Sequence, residues 1–155
     1  MHTTTTKDEP SLTLTRMFDA PRTLVFRVWT APEHLARWWG PKDFSVPSIK
    51  TDFREGGAWR SSIRSPEGRE YWAHGTYREI VTPERIVFTF TWEEEDAIDT
   101  LVTVTFEEVD DGRTKLTFHQ APFTSIDARD GHAEGWGECL DRLGSYIEAR
   151  KEDMR

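Results

Sequence analysis

Cysteine is nearly absent. Cys139 is the single one among 155 residues, so no internal disulfide can form and a zinc site built on thiolates lacks its ligands. Cys139 itself reads as a small buried apolar residue rather than a nucleophile. Long apolar runs are missing as well. No segment approaches the roughly 18 apolar residues of a spanning helix, and Met1 to Pro10 is polar and Thr-rich, without the apolar stretch of a secretory signal. A cytoplasmic location is the expectation, with no membrane partner. Nor does any Lys/Arg block interrupt the acidic balance, 20 Lys and Arg against 28 Asp and Glu for a net charge of −8. That balance opposes attraction to phosphate backbones, so nucleic acid is not expected as a partner.

The familiar catalytic strings are also absent. There is no His-Glu-x-x-His, no Gly-x-Ser-x-Gly and no Gly-x-x-x-x-Gly-Lys. His132 and Glu134 form a His-x-Glu, but no Pro-Cys-x-x-Cys follows, which removes the zinc deaminase reading. The acidic run Glu93 to Asp96 lacks the spacing of an EF-hand loop and reads as a solvated turn. No catalytic constellation, metal or cofactor is expected.

What the chain has is aromatic surface. Seven Trp, nine Phe and three Tyr make up 12% of it, and each large ring buries roughly 150–250 Å² when it leaves water. Rings in that number must line a core, a cavity or an interface. The length suits one domain, expected over residues 11–151, with tails at 1–10 and 152–155.

The patterning is strand, helices, strands, helix. Ser11 to Phe18 alternates as a half-buried strand does. Asp19 is placed to cap a helix with Pro21 in its first turn and Leu24, Val25, Val28 and Trp29 on one face. Thr30 and Glu33 stand as a capping box for a second short helix that carries Leu35, Trp38 and Trp39 and stops at Gly40-Pro41. From Val46 to Pro122 six short β-rich segments are separated by turns at Gly56-Gly57, Pro66 to Gly68, Thr82 to Glu84, Glu93 to Asp96 and Asp110 to Gly112. Alternation is cleanest in Ile86, Phe88, Phe90, Trp92 and in Val102, Val104, Phe106, which predicts an antiparallel meander with one apolar and one Thr-rich face. A final helix, capped by Thr124 or Ser125, repeats Trp136, Cys139, Leu140, Leu143 and Ile147 at helical spacing and covers the apolar face. Its glycines, Gly131, Gly135, Gly137 and Gly144, weaken it, which implies close approach of sheet, loop or ligand to its backbone.

Several strings resemble one known family. Asp19-Ala20-Pro21, Val25-Phe26, Trp29 through Leu35, Trp38-Trp39-Gly40-Pro41, Gly56-Gly57 with Trp59-Arg60, Pro83 through Val87, and His132 to Trp136 ahead of Leu140-Asp141-Arg142-Leu143 are similar to the activator of Hsp90 ATPase homologue 1-like proteins. The likeness covers about Leu12 to Arg150. It implies an α+β helix-grip fold, START-like or Bet v 1-like: a curved antiparallel sheet of about seven strands wrapped on a long C-terminal helix, with two short helices between strands 1 and 2. It further implies a largely apolar pocket between that helix and the sheet, a scaffold used in relatives for lipids, hormones or polyketides. In the eukaryotic co-chaperone such a domain follows a separate N-terminal domain carrying much of the Hsp90 contact. Here only about ten residues precede the first strand, so an Hsp90-type chaperone is not expected as a partner.

The expected function is therefore a module binding a small hydrophobic or aromatic ligand, with a homodimer left open. Candidate pocket residues are Trp38, Trp39, Trp59, Trp72, His74, Phe90, Trp92, Trp136 and Leu140; the alternative is that the rings simply fill the core. A polyketide cyclase or dehydratase is the enzymatic alternative implied by the resemblance. His74, which shares strand parity with Trp72, and His119 are its acid/base candidates. Arg54 and Arg60, flanking Gly56-Gly57, would clasp a ligand carboxylate if they pointed inward.

Overall fold

The structure is a computed structural model and describes residues 9–150. The tails expected at either end fall almost wholly outside them, although Pro10 is tied down through its carbonyl, which accepts from the Phe123 N–H at 3.1 Å. Seven strands and three α-helices follow in order: β1 (Leu12–Phe18), α1 (Arg22–Val28), α2 (Pro32–Trp38), β2 (Ser45–Thr51), β3 (Ala58–Arg64), β4 (Glu70–Val81), β5 (Arg85–Trp92), β6 (Thr100–Val109), β7 (Arg113–Ala121) and α3 (Ile126–Arg150). A single 3₁₀ turn, Asp110–Gly112, joins β6 to β7.

All pairings are antiparallel, in the order β1-β7-β6-β5-β4-β3-β2. β2 to β7 form a plain meander because each connection is a short turn. β1 joins at the far edge, beside β7, with Leu12 opposite Gln120 and Phe18 opposite Thr114. The two short helices carry the chain from one edge strand to the other, and α3 lies in the concavity of the curled sheet, the helix-grip arrangement.

Period-two alternation decides which residues face α3. Ile86, Phe88 and Phe90 of β5, Val102, Val104 and Phe106 of β6, and Leu116 and Phe118 of β7 are buried, while Thr89, Thr103, Thr105 and Thr117 on the other face stay partly exposed. α3 answers with Trp136, Cys139, Leu140, Leu143 and Ile147, all buried. Removing one such Leu from water contributes roughly 1.5–3 kcal/mol. Ser125 opens α3 as expected, its Oγ accepting from the Ala128 N–H at 3.0 Å.

The other two caps differ from the sequence expectation. Pro21 and Ala31 occupy the cap positions of α1 and α2, neither with a side-chain cap hydrogen bond. The Thr30 hydroxyl instead donates back to the Arg27 carbonyl at 3.0 Å. Tertiary packing of Leu24, Val25, Val28, Leu35 and Trp38 holds these seven-residue helices, which are too short to stand on capping alone.

Candidate functional site

Between α3 and the concave face, a cavity of about 240 Å³ remains open. Its sides are Phe90 and Trp92 from the end of β5, Ile63 of β3, Tyr71 of β4, and Trp39, Gly40, Pro41 and Phe44 from the strap that follows α2. Helix α3 supplies Gly131, His132, Gly135, Trp136 and Cys139. Two of these are glycines, and the missing side chains make the space. A Cβ at Gly131 would meet nothing within 4 Å, and one at Gly135 would meet only Pro41 Cγ, at 3.7 Å.

The rings pack edge to face rather than stacking flat, as ring quadrupoles favour. Trp39 meets Trp136 at 5.3 Å between centroids, Phe90 meets Trp92 at 5.1 Å and Trp136 at 5.7 Å. Hydrogen bonds fix their orientation. Trp136 Nε1–H donates to Gln120 Oε1 at 2.8 Å, Gln120 Nε2–H to Thr100 Oγ1 at 2.9 Å, and the Thr100 hydroxyl to the Phe90 carbonyl at 2.7 Å. Gln120 is fully buried, so this chain satisfies a polar group that would otherwise be costly, and it ties α3 to β7, β6 and β5. Trp39 Nε1–H donates to Ser61 Oγ at 3.2 Å, and Trp92 Nε1–H to His132 Nε2 at 2.8 Å.

The strap is held from behind. Arg142 of α3 directs Nη1 at three successive carbonyls, Trp39 at 3.3 Å, Gly40 at 3.0 Å and Pro41 at 2.8 Å, and the Lys42 N–H donates to Glu138 Oε1 at 3.1 Å. Gly40 takes φ +97°, a left-handed conformation that lets the chain turn out of α2 beside Ile63. Cys139 stands under the strap, its thiol 3.7 Å from the Trp38 carbonyl. Burial pushes that thiol up to about 12, against smaller opposing effects of the Gly40 backbone and the Arg142 charge. It is a neutral wall atom at physiological pH, not a nucleophile.

Of the residues singled out from the sequence, Trp39, Phe90, Trp92 and Trp136 line this cavity. Trp59 lines a smaller hollow of about 20 Å³ on the far side of Trp39, with Trp29, Leu35, Tyr77 and Phe88; burial pushes the Tyr77 phenol well above its usual range. Trp38 and Leu140 have no exposed surface and belong to the core, Trp38 donating to the Val28 carbonyl at 3.0 Å.

Trp72 and His74 are not in the cavity. Tyr71, Ala73, Gly75 and Tyr77 take the inward face of β4, so Trp72 and His74 share the outward one. There the Arg60 guanidinium lies 4.0 Å over the Trp72 ring and binds both oxygens of Glu93 at 2.8 Å, while His74 Nδ1 lies 3.0 Å from Glu93 Oε2. Arg54 pairs with Asp52 at 2.9 Å. Neither arginine is a cavity group. His119 sits between buried Phe118 and Gln120 on β7 and therefore points to the outer face. Sequence reasoning missed Tyr71, His132, Gln120 and, of the strap, Gly40, Pro41 and Phe44; for His132 a signal existed, four positions before Trp136 and thus on the same helix face.

Among the described residues, no helix is long and apolar enough to cross a membrane. The family model described as activator of Hsp90 ATPase homolog 1-like protein matches residues 19–148. No curated protein matches. Similar solved structures include a protein from Chromobacterium violaceum, 26% identical with a TM-score of 0.83 over 89% of this chain and 96% of that one. Another, from Rhizobium leguminosarum, is 28% identical with a TM-score of 0.78 over 92% and 96%. A third, from Nitrosomonas europaea, is 24% identical with a TM-score of 0.81 over 94% and 98% and shares the fold. Cavity, strap and gripping sheet thus occur in a chain that belongs to the activator of Hsp90 ATPase homolog 1-like family.

Proposed function

We propose that the protein binds a small hydrophobic or aromatic molecule between α3 and the concave sheet face. The observation that carries this is the aromatic cavity of about 240 Å³ lined by Trp39, Phe90, Trp92 and Trp136. A well-packed interior leaves few spaces larger than a water molecule, and a concave apolar site with few polar groups suits ligand binding. The cyclase-type reading loses its candidate groups, since His74 and His119 both face outward. His132, at the cavity, has both ring nitrogens engaged.

The test is titration with prodan, an uncharged environment-sensitive naphthalene dye. Saturable binding with quenching of tryptophan emission is expected, weakened in Trp92→Ala and Trp136→Ala. No uptake by protein whose circular dichroism shows an intact fold overturns the reading.

A further inference from the structure

The side-chain polar groups around the cavity are nearly all committed within the protein, which limits what a ligand can find there. The indole N–H groups of Trp39, Trp92 and Trp136 donate to Ser61, His132 and Gln120. The two nitrogens of His132 are taken by Trp92 and by the Ala128 carbonyl at 2.9 Å. The Cys139 thiol faces the Trp38 carbonyl, and Arg142 holds the Gly40 and Pro41 carbonyls from outside. No Lys, Arg, Asp or Glu among the described residues lines the space. Among the described residues, one side-chain polar group of the lining has no hydrogen-bond partner: the hydroxyl of half-buried Tyr71, whose ring lies 6.3 Å from Phe44 and 6.4 Å from Trp92.

We infer that the site selects an uncharged, flat molecule of about two fused rings carrying at most one hydrogen-bonding group, which meets the Tyr71 hydroxyl. This rests on the binding function proposed above and specifies its ligand. The size follows from comparison, since an apolar cavity of about 150 Å³ holds benzene and this one has about 240 Å³. The charge rule follows from desolvation. An ionised carboxylate or ammonium entering a space whose described lining holds no charged side chain, and only the Tyr71 hydroxyl as an uncommitted side-chain group, loses most of its hydration without replacement. The preference for one polar group follows from the satisfied walls, because a second would be buried unpaired. The rings offer T-shaped contacts from Phe90, Trp92 and Trp136.

Ligand-observed NMR with three probes of one shape tests this at pH 7.5: naphthalene, 2-naphthol and 2-naphthoate. 2-Naphthol is expected to bind most tightly, naphthalene about 5- to 10-fold more weakly, and 2-naphthoate at least 100-fold more weakly than 2-naphthol. Tyr71→Phe is expected to remove the advantage of 2-naphthol over naphthalene and leave naphthalene unchanged. If 2-naphthoate binds within threefold of 2-naphthol, the selectivity inference is overturned while ligand binding stands. That is the outcome if Arg69, whose guanidinium lies 5.0 Å over the Tyr71 ring, draws the carboxylate. If Tyr71→Phe leaves the naphthol advantage intact, the role of Tyr71 is overturned. If none of the probes, prodan included, binds folded protein, the proposed function falls and this inference with it.

Discussion

Trp92 and His132 join sheet to helix at the cavity, the indole N–H of one donating to Nε2 of the other at 2.8 Å. His132 Nδ1 lies 2.9 Å from the Ala128 carbonyl, so its two partners together specify the neutral imidazole with the proton on Nδ1. The pair does in polar terms what Leu140 and Leu143 do in apolar terms, anchoring α3 to the concave face. It also engages both ring nitrogens of the one imidazole among the described lining residues.

His132→Ala is therefore expected to cost about 1 kcal/mol of stability and to shift tryptophan emission to longer wavelength as Trp92 acquires water. The cost stays modest because Trp92 is only half-buried and its freed N–H can be rehydrated. Urea unfolding followed by fluorescence measures both; a midpoint equal to wild type would show that the bond contributes nothing in solution.

Glu93 gives a dependence on pH. The Arg60 hydrogen bonds above all, outweighing the opposing effect of desolvation and with a lesser contribution from His74, hold its carboxyl down at about 2 from an ordinary 4.5. A carboxyl depressed in the folded state stabilises fully above its unfolded value, and the contribution fades as pH falls from there through the folded value. Glu93→Gln is expected to be less stable than wild type at pH 7, with the difference shrinking between about pH 4.5 and 2. The loss is expected to be smaller than for His132→Ala, since Arg60 is about half exposed and salt screens such pairs. Thermal melts of both proteins across this range check it, and a difference that grows on acidification would contradict the assignment.

Two glycines are expected to respond in opposite directions. A Cβ at Gly131 meets open space in the interior of α3, so Gly131→Ala is expected to stabilise by up to about 1 kcal/mol through helix propensity. Gly75 stands opposite Trp59 in the β3–β4 register, and the Trp59 indole crosses it to donate to the Thr89 carbonyl at 3.1 Å. A Cβ there would overlap that carbonyl oxygen and press on the indole nitrogen, 2.6 Å away. Gly75→Ala is expected to destabilise by about 1–3 kcal/mol, the cost of overpacking. Parallel denaturant titrations decide the pair; a neutral Gly75→Ala would mean that β4 and β5 are not packed this tightly.

These positions show how unevenly the chain discloses itself. β5 and β6 alternate between large apolar residues and Thr, so their inward faces, and the face of α3 that meets them, follow from spacing alone. β4 does not. Its run Tyr71-Trp72-Ala73-His74-Gly75 sets a bulky ring on each side, and the inward side is decided by Trp59, which needs the side-chain-free Gly75 opposite. The outward Trp72 is covered by Arg60, a partner from a neighbouring strand that local pattern does not reveal. The aromatic character of the cavity was likewise legible, whereas the strap was not, because its position depends on Arg142, a hundred residues distant. Asp19 and Thr30 had the chemistry of caps, yet packing supplied what capping would have.

Leu143→Asp is expected to be severely destabilising, by several kcal/mol. Leu143 is fully buried against the sheet, and a carboxylate there would lose hydration with no cation among the described buried residues to pair it. Such a loss is comparable with the whole stability of an ordinary domain. An unchanged thermal midpoint by circular dichroism would mean that α3 does not present this face to the sheet.

Arg142 controls the one side of the cavity that is not regular structure. Its guanidinium spans the carbonyls of Trp39, Gly40 and Pro41, the residues that turn the chain from α2 across the mouth of the grip. A charged donor shared among three carbonyls is worth about 1.5–3 kcal/mol, and here all three converge on the one nitrogen Nη1. Arg142→Met keeps much of the apolar bulk but leaves those carbonyls to water, so the strap is expected to loosen while α3 remains docked through Leu140, Leu143 and Ile147. The dissociation rate of a bound dye separates this from general destabilisation. Stability is expected to fall by about 1.5–3 kcal/mol, and at temperatures where the variant is still folded, the dissociation rate of bound prodan is expected to rise several-fold, with Arg142→Lys intermediate. Stopped-flow displacement of the dye measures this directly. An unchanged dissociation rate in folded Arg142→Met would mean that the strap does not govern access, and that ligands enter elsewhere along α3.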